Sequence, residues 1–239
     1  MKRVSHLTVI VGIVVSVVLA VCISGPVSAQ TAKPGHDWYD YNEHTPGYRY
    51  MLEGQRSYAA GQFGSAMAKY KAAARWADKF AQHNIGAMYL RAEGVEFDPV
   101  KAWAWLELAA ERDYPQFVEA ADDLYAMLDA RQQEESRDYL ERELLPRYGD
   151  EARVEPTAQK MRQDRRRATG SRAGGGAFLS YLTIIDGSGQ TRRGDEYYAA
   201  EKWDFERIID YETEVMIAIA NGNVELGDLQ LIDDEADEE

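Results

Sequence analysis

A shift of 36 residues lays one stretch of this chain on another. Ala66 falls on Ala102, Tyr70 on Leu106, Ala73-Ala74 on Ala109-Ala110, Met88 on Leu124 and Tyr89 on Tyr125. A period of this length fits one helix pair per unit. Small alanines let the paired helices approach closely, and Tyr or Trp residues fill the space at the open ends of the pair. A single pair cannot bury its apolar stripe, so neighbours must stack. The punctuation agrees. Thr45-Pro46, Asp98-Pro99 and Asp113-Tyr114-Pro115 each set a proline near a helix N-terminus, where its missing N–H is not needed. There Thr45, Asp98 or Asp113 serves as the cap or sits beside it. Gly61, Gly64 and Gly94 are expected between helical stretches.

The second unit carries Ala81, Ile85-Gly86, Tyr89, Gly94-Val95, Asp98, Lys101-Ala102, Trp105 and Ala109-Ala110. This run resembles the Sel-one-like repeat family, relatives of the tetratricopeptide repeats. That family's pattern is Ala, Leu-Gly, Tyr, a Gly-Val turn, Asp, Lys-Ala, Trp and an Ala-Ala pair. The first unit, around Ser65 to Ala81, is degenerate. Ala77 and Asp113 stand where the family has a turn glycine, and Phe117 where it has alanine. The resemblance covers roughly a third to a half of the chain. It implies a short α-solenoid of antiparallel helix pairs over residues 45–148. It also implies a protein-binding adaptor whose concave face is made by the first helix of each pair. On the clear unit His83, Leu90 and Arg91 are expected to point away from the Ile85–Met88–Tyr89 stripe, and Glu119 and Asp123 lie one unit later. These five are the candidate partner-binding residues. Between Gln132 and Tyr148, Leu140, Leu144, Leu145 and Tyr148 fall at helical spacing and predict a capping helix.

The first 29 residues read as an export signal. Lys2 and Arg3 precede an apolar run from Leu7 to Ile23, then Gly25-Pro26 and Val27-Ser28-Ala29, with cleavage expected before Gln30. The alternative is an uncleaved inner-membrane anchor, since the run sits at the lower edge of what spans hydrocarbon. Cleavage removes Cys22, the one cysteine, and a thiol-free chain suits the oxidising periplasm or a secreted location. Residues 30–44, polar and aromatic without a period, read as a flexible leader.

The C-terminal part, 149–232, reads as a small α+β unit docked on the solenoid, so the chain as a whole is mainly α. A basic helix is expected from Pro156 to Ala168, a strand from Phe178 to Ile185, a long helix over 196–220 and a last strand through Val224 to Leu231. The formal charge is −14, but unevenly spread: residues 152–193 carry a net +6 and residues 194–239 a net −14. The acidic balance and the lack of interleaved aromatics in the basic block argue against nucleic acid. Residues 233–239 read as an acidic disordered tail. Among the histidines, His36 and His44 fit no helix face, so no metal is expected, and no motif implies a cofactor or a nucleophile. The partner expected is another envelope protein or a peptide segment of basic or mixed charge, with membrane contact only if the signal is retained. The alternative is an enzyme or small-ligand binder with Asp186, Arg192, Arg193 and Asp195 as charge clamps between solenoid and C-terminal unit.

Overall fold

The computed structural model describes residues 42–169, 179–185 and 191–222. The fold is mainly helical with a small two-stranded sheet near its C-terminus. Tyr48–Ala59 (α1) and Phe63–Ala74 (α2) form one hairpin, and Lys79–Arg91 (α3) and Pro99–Ala109 (α4) the next. A 3₁₀ turn, Ala110–Arg112, leads into Pro115–Met127 (α5). Ala130–Tyr139 (α6), a π turn at Leu140–Leu144 and Leu145–Tyr148 (α7) close the array. Asp150–Thr169 (α8) opens the C-terminal unit. A 3₁₀ turn at Leu179–Tyr181, Thr183–Ile185 (β1), Thr191–Arg193 (β2), Gly194–Tyr197 (α9), a 3₁₀ turn at Ala200–Trp203 and Phe205–Ala220 (α10) complete it.

The 36-residue offset reappears in the helix boundaries. α2 and α3 start at Phe63 and Lys79, and α4 and α5 at Pro99 and Pro115. Among α1 to α5 the side-chain caps do not follow the offset, and only the two helices of the second hairpin carry them. Asp78 Oδ1 accepts from the Ala81 N–H at 2.8 Å, and Asp98 Oδ1 from the Lys101 N–H at 3.0 Å. Ala77 and Asp113, also 36 apart, both hold the left-handed conformation (φ 59° and 54°), so this turn is made without glycine. Gly61 and Gly94 have positive φ, but Gly64 lies inside α2 and not between helices.

Each hairpin closes where one helix gives up its side chain. A Cβ on Gly54 would stand 2.6 Å from the Tyr70 ring, and one on Gly86 2.8 Å from Leu106 Cγ and 3.0 Å from the Ala102 carbonyl. Tyr70 and Leu106 are 36 residues apart while the two glycines are 32 apart, so α1–α2 makes a similar glycine crossing with α1 set out of the offset. The alanines that make the approach possible, among them Ala66, Ala73, Ala74, Ala102 and Ala109, are fully buried. Tyr70, Trp105, Met88 and Leu108 fill the space between them. Each such large side chain taken from water adds roughly 1.5–3 kcal/mol.

The capping helix expected over 132–148 is interrupted. α6 is regular, but the π turn falls directly ahead of Pro146, whose ring and missing N–H cannot continue the ladder. Tyr148 then packs on Trp105 with ring centroids 4.9 Å apart.

The C-terminal unit departs further from expectation. The basic helix starts at Asp150 and carries Pro156 inside it. The strand shrinks to β1, and its antiparallel partner β2 (Thr183↔Arg193, Ile185↔Thr191) was not foreseen. The expected helix over 196–220 is broken at Tyr198–Ala199 and restarts at Phe205, where Asp204 caps it. The end of the leader is not loose. His44 is buried, stacked on Trp203 at 4.7 Å and edge-on to Tyr197 at 4.6 Å, while Glu43 accepts from Arg192 Nη1 at 2.6 Å. The expected signal segment, His36, the expected strand over 224–231, the expected acidic tail and Asp186 lie outside the described residues. Among the described residues no helix is long and apolar enough to cross a membrane.

Candidate functional site

α3 has helices packed on several sides, and this overturns the exposure expected of its outward residues. His83 stacks on Phe117 of α5 with centroids 4.6 Å apart, and its Nδ1 is sealed from solvent without a hydrogen bond. Burial, with the charge of Arg91 behind it, pushes the imidazole pKa down to about 4. Leu90 is part of the main core. Arg91 Nη1 donates to the Tyr58 hydroxyl at 3.0 Å, and that hydroxyl donates to Glu93 at 2.7 Å. These three residues therefore bind the array together instead of lining a free groove. A helical wheel of α3 clears one ridge for solvent. In the fold α4 covers that ridge at Gly86 and α5 covers it at His83.

One unit later the same positions are open. Glu119 and Asp123 are exposed, as expected, and so are Asp122 and Ala126. By the 36-residue offset these four correspond to His83, Ala87, Gly86 and Leu90. The reason lies in the chain after each helix. After α3, residues 92–98 are long enough for α4 to return along it. After α5 there are two residues, Leu128 and Asp129, before α6 begins. Asp129 caps α6 at once, accepting from the Gln132 N–H at 2.9 Å while Gln132 Oε1 accepts from the Asp129 N–H at 3.0 Å. α6 then lies along α4 and does not pair with α5. The face of α5 that a pairing helix would cover is left as a shallow depression lined by Asp113, Pro115, Val118, Glu119, Asp122 and Asp123.

None of these six is basic. The field they set up is felt by Glu107 on α4, whose carboxyl is raised first by burial and then by the charges of Asp122 and Glu111. Pro115 and Val118 give the depression an apolar component beside its acids. Asp122 was missed in the sequence. Its signal was present: it stands where the preceding unit has the crossing glycine, and a carboxylate cannot occupy a crossing that excludes even a Cβ.

The proposed clamps do not converge. Arg192 is engaged by Glu43, and Arg193 makes two hydrogen bonds to Asp195, at 3.0 and 2.6 Å, on an exposed surface. The boundary between array and C-terminal unit is instead filled by an ion network centred on Arg112. Its Nε and Nη2 donate to the two oxygens of Asp150 (2.8 and 3.1 Å), Nη2 also to the Ala77 carbonyl (3.0 Å), and Nη1 to Glu212 (2.9 Å). Lys79, almost fully buried, reaches Asp150 at 3.0 Å, the Leu108 carbonyl at 3.0 Å and Glu111. Burial works against the Asp150 charge, yet Arg112 and Lys79 hold its carboxyl below the usual range. Each cation here is already saturated by protein groups. Among the described residues no cluster of His, Cys, Asp and Glu is arranged to hold a metal ion.

No known family, curated protein or solved structure matches the chain.

Proposed function

We propose that this chain is a non-enzymatic, exported interaction scaffold of Sel-one-like type, and that its partner docks on the unpaired face of α5. One observation carries this reading. The face that α4 covers on α3 is uncovered on α5, one unit later, and is acidic. A partner segment that supplies the missing helix, with apolar side chains on Pro115 and Val118 and cations against Glu119, Asp122 and Asp123, fits it in shape and charge. Removal of the first 29 residues places the scaffold in the periplasm with another envelope protein as partner, and the N-terminal sequence of the mature protein checks this. A ligand site between the array and the C-terminal unit has less support, because the polar groups there are spent on one another.

Charge reversal tests the reading. Glu119→Lys combined with Asp123→Lys changes two exposed positions, so thermal stability is expected to stay near that of the parent. Crosslinking in envelope extract is expected to capture a partner with the parent chain, to lose it with the variant and to weaken as salt rises. Capture of the same partner by both chains overturns the assignment.

A further inference from the structure

α10 buries five side chains at helical spacing, Phe205, Ile208, Glu212, Val215 and Met216, against α8 and the array. Its opposite face, with Glu206, Arg207, Asp210, Glu214 and Ile217, is exposed. The apolar contacts fall into two groups. Phe205 and Ile208 join Trp203, Ala77, Ala158 and Met161 in a small cluster, whereas Val215 and Met216 join the main core. Between the groups sits one carboxylate. Glu212 Oε2 accepts from Arg112 Nη1 and from the Tyr114 hydroxyl, both at 2.9 Å. Gln116 Nε2 adds a hydrogen bond to the Met216 carbonyl at 3.3 Å.

The receptor for this carboxylate takes its polar contacts from outside α10, and α10 adds only the Phe205 ring, 5.7 Å from the guanidinium carbon. Arg112 is fixed by both oxygens of Asp150 and by the Ala77 carbonyl, all outside α10. With α10 lifted away, the guanidinium stays paired and aimed, with Nη1 free for another carboxylate. A preset arginine flanked by two apolar seats is a device for reading an amphipathic helix. We infer that the surface beneath α10 is a helix-docking groove, that α10 is its resident ligand in cis, and that a partner's amphipathic helix replaces it. That helix has an acid at the Glu212 position, an apolar residue four before it and two more at three and four after it. The inference is independent of the docking on the acidic face, since it uses Tyr114 and Gln116 and not Glu119 or Asp123.

The electrostatics make this docking sensitive to pH. Asp78 and Lys79 at the start of α3, Glu111 and Arg112 in the 3₁₀ turn, Tyr114 at the start of α5 and Asp150 on α8 make up the charged surroundings of Glu212. Burial, with Asp78 and Asp150 adding to it against the pull of Arg112, lifts the Glu212 pKa to about 7. A raised carboxyl pKa means that the docked state holds a proton the released state gives up. Docking is then strongest below the usual glutamate range and weakens as pH rises through about 7.

The test uses the full chain with Glu212→Lys, which sets a like charge against Arg112 and ejects α10. A fluorescent peptide of residues 204–222 is titrated against it. The peptide is expected to bind this variant, and to bind the parent about 30-fold more weakly, because the resident helix competes at the millimolar effective concentration of a tethered segment. A peptide carrying Glu212→Ala is expected to lose about 30-fold in affinity for the variant. No peptide binding while the α3 amides remain protected overturns the inference. Should the variant fail to fold, hydrogen exchange on the parent chain decides. α10 amides are expected to open at least about tenfold more often than those of α3, with the gap widening from pH 5.5 to pH 8 after correction for intrinsic rates. Exchange of α10 and α3 together, by one global opening, makes α10 ordinary core and sinks the proposal.

Discussion

α3 and α5 lie 36 residues apart along the chain, and only one of them is enclosed. Both span 13 residues, with Lys79 falling on Pro115 and Arg91 on Met127. Their shared ridge is interior in both: Ala81 and Phe117, Ile85 and Ala121, Met88 and Leu124. The other ridge differs completely. Gly86, Ala87 and Leu90 are buried, while Asp122, Asp123 and Ala126 face solvent. The difference arises outside the helices. Seven residues after α3 bring α4 back along it, whereas two residues after α5 send α6 elsewhere. A loop length therefore decides whether a ridge becomes core or surface, and the residues on that ridge follow.

The comparison breaks most easily at the crossing point. Gly86→Val forces a branched side chain against Leu106 and the backbone carbonyl of Ala102, so α3 and α4 must separate. Urea melts are expected to show a loss of about 3 kcal/mol. Asp122→Val, which sets the same new side chain 36 residues later on an open face, is expected to stay within about 0.5 kcal/mol of the parent. Equal losses at the two sites would mean that α5 is covered after all.

A second contrast is in the response to acid. The pKa of His83 is held at about 4, so its neutral form is the native one. The unfolded chain takes up the proton first, near the ordinary histidine value. Stability linked to His83 is therefore complete above that value and falls as pH drops toward about 4. The expected loss is about 2 kcal/mol by pH 5, and it should be absent in His83→Gln. Glu212 acts in the opposite sense, losing its contribution as pH rises, so single variants separate the two. An acid limb unaltered in His83→Gln would show that the stack on Phe117 opens freely.

Much of the architecture was legible because it is local. The offset of 36, the Asp98 cap and the prolines at helix starts are written in consecutive residues, and the helix boundaries follow them. Even the missing glycines misled little, since Ala77 and Asp113 adopt the turn that glycine makes more easily. What could not be read was the covering of one helix by another. Periodicity in α3 separates one apolar ridge from the rest. It cannot show that His83 will meet Phe117 or that Leu90 is interior, because those facts depend on where the chain goes next. The strand β2 was missed because Thr191-Arg192-Arg193 has no apolar alternation, and its arginines are occupied by Glu43 and Asp195. The Arg112 network joins residues up to 100 positions apart, a separation no local pattern records.

The smallest expected effect concerns how the two helices end, and its sign is the informative part. α3 terminates at Ala92, which takes a left-handed conformation (φ 55°) so that the Glu93 N–H turns back to the Met88 carbonyl at 3.0 Å. That turn starts the long return to α4. α5 terminates at Leu128, which is extended (φ −77°, ψ 141°) and buried. Ala92 is exposed, so Ala92→Gly removes a strained Cβ without taking anything from the core. A gain of about 0.5–1 kcal/mol is expected, read from the urea midpoint. Leu128→Gly has no strain to relieve and empties a packed site, so it is expected to lose stability. A loss in both variants would place the origin of the open face in the side chains of α5. A gain at Ala92 alone leaves it with the backbone turn that only α3 possesses.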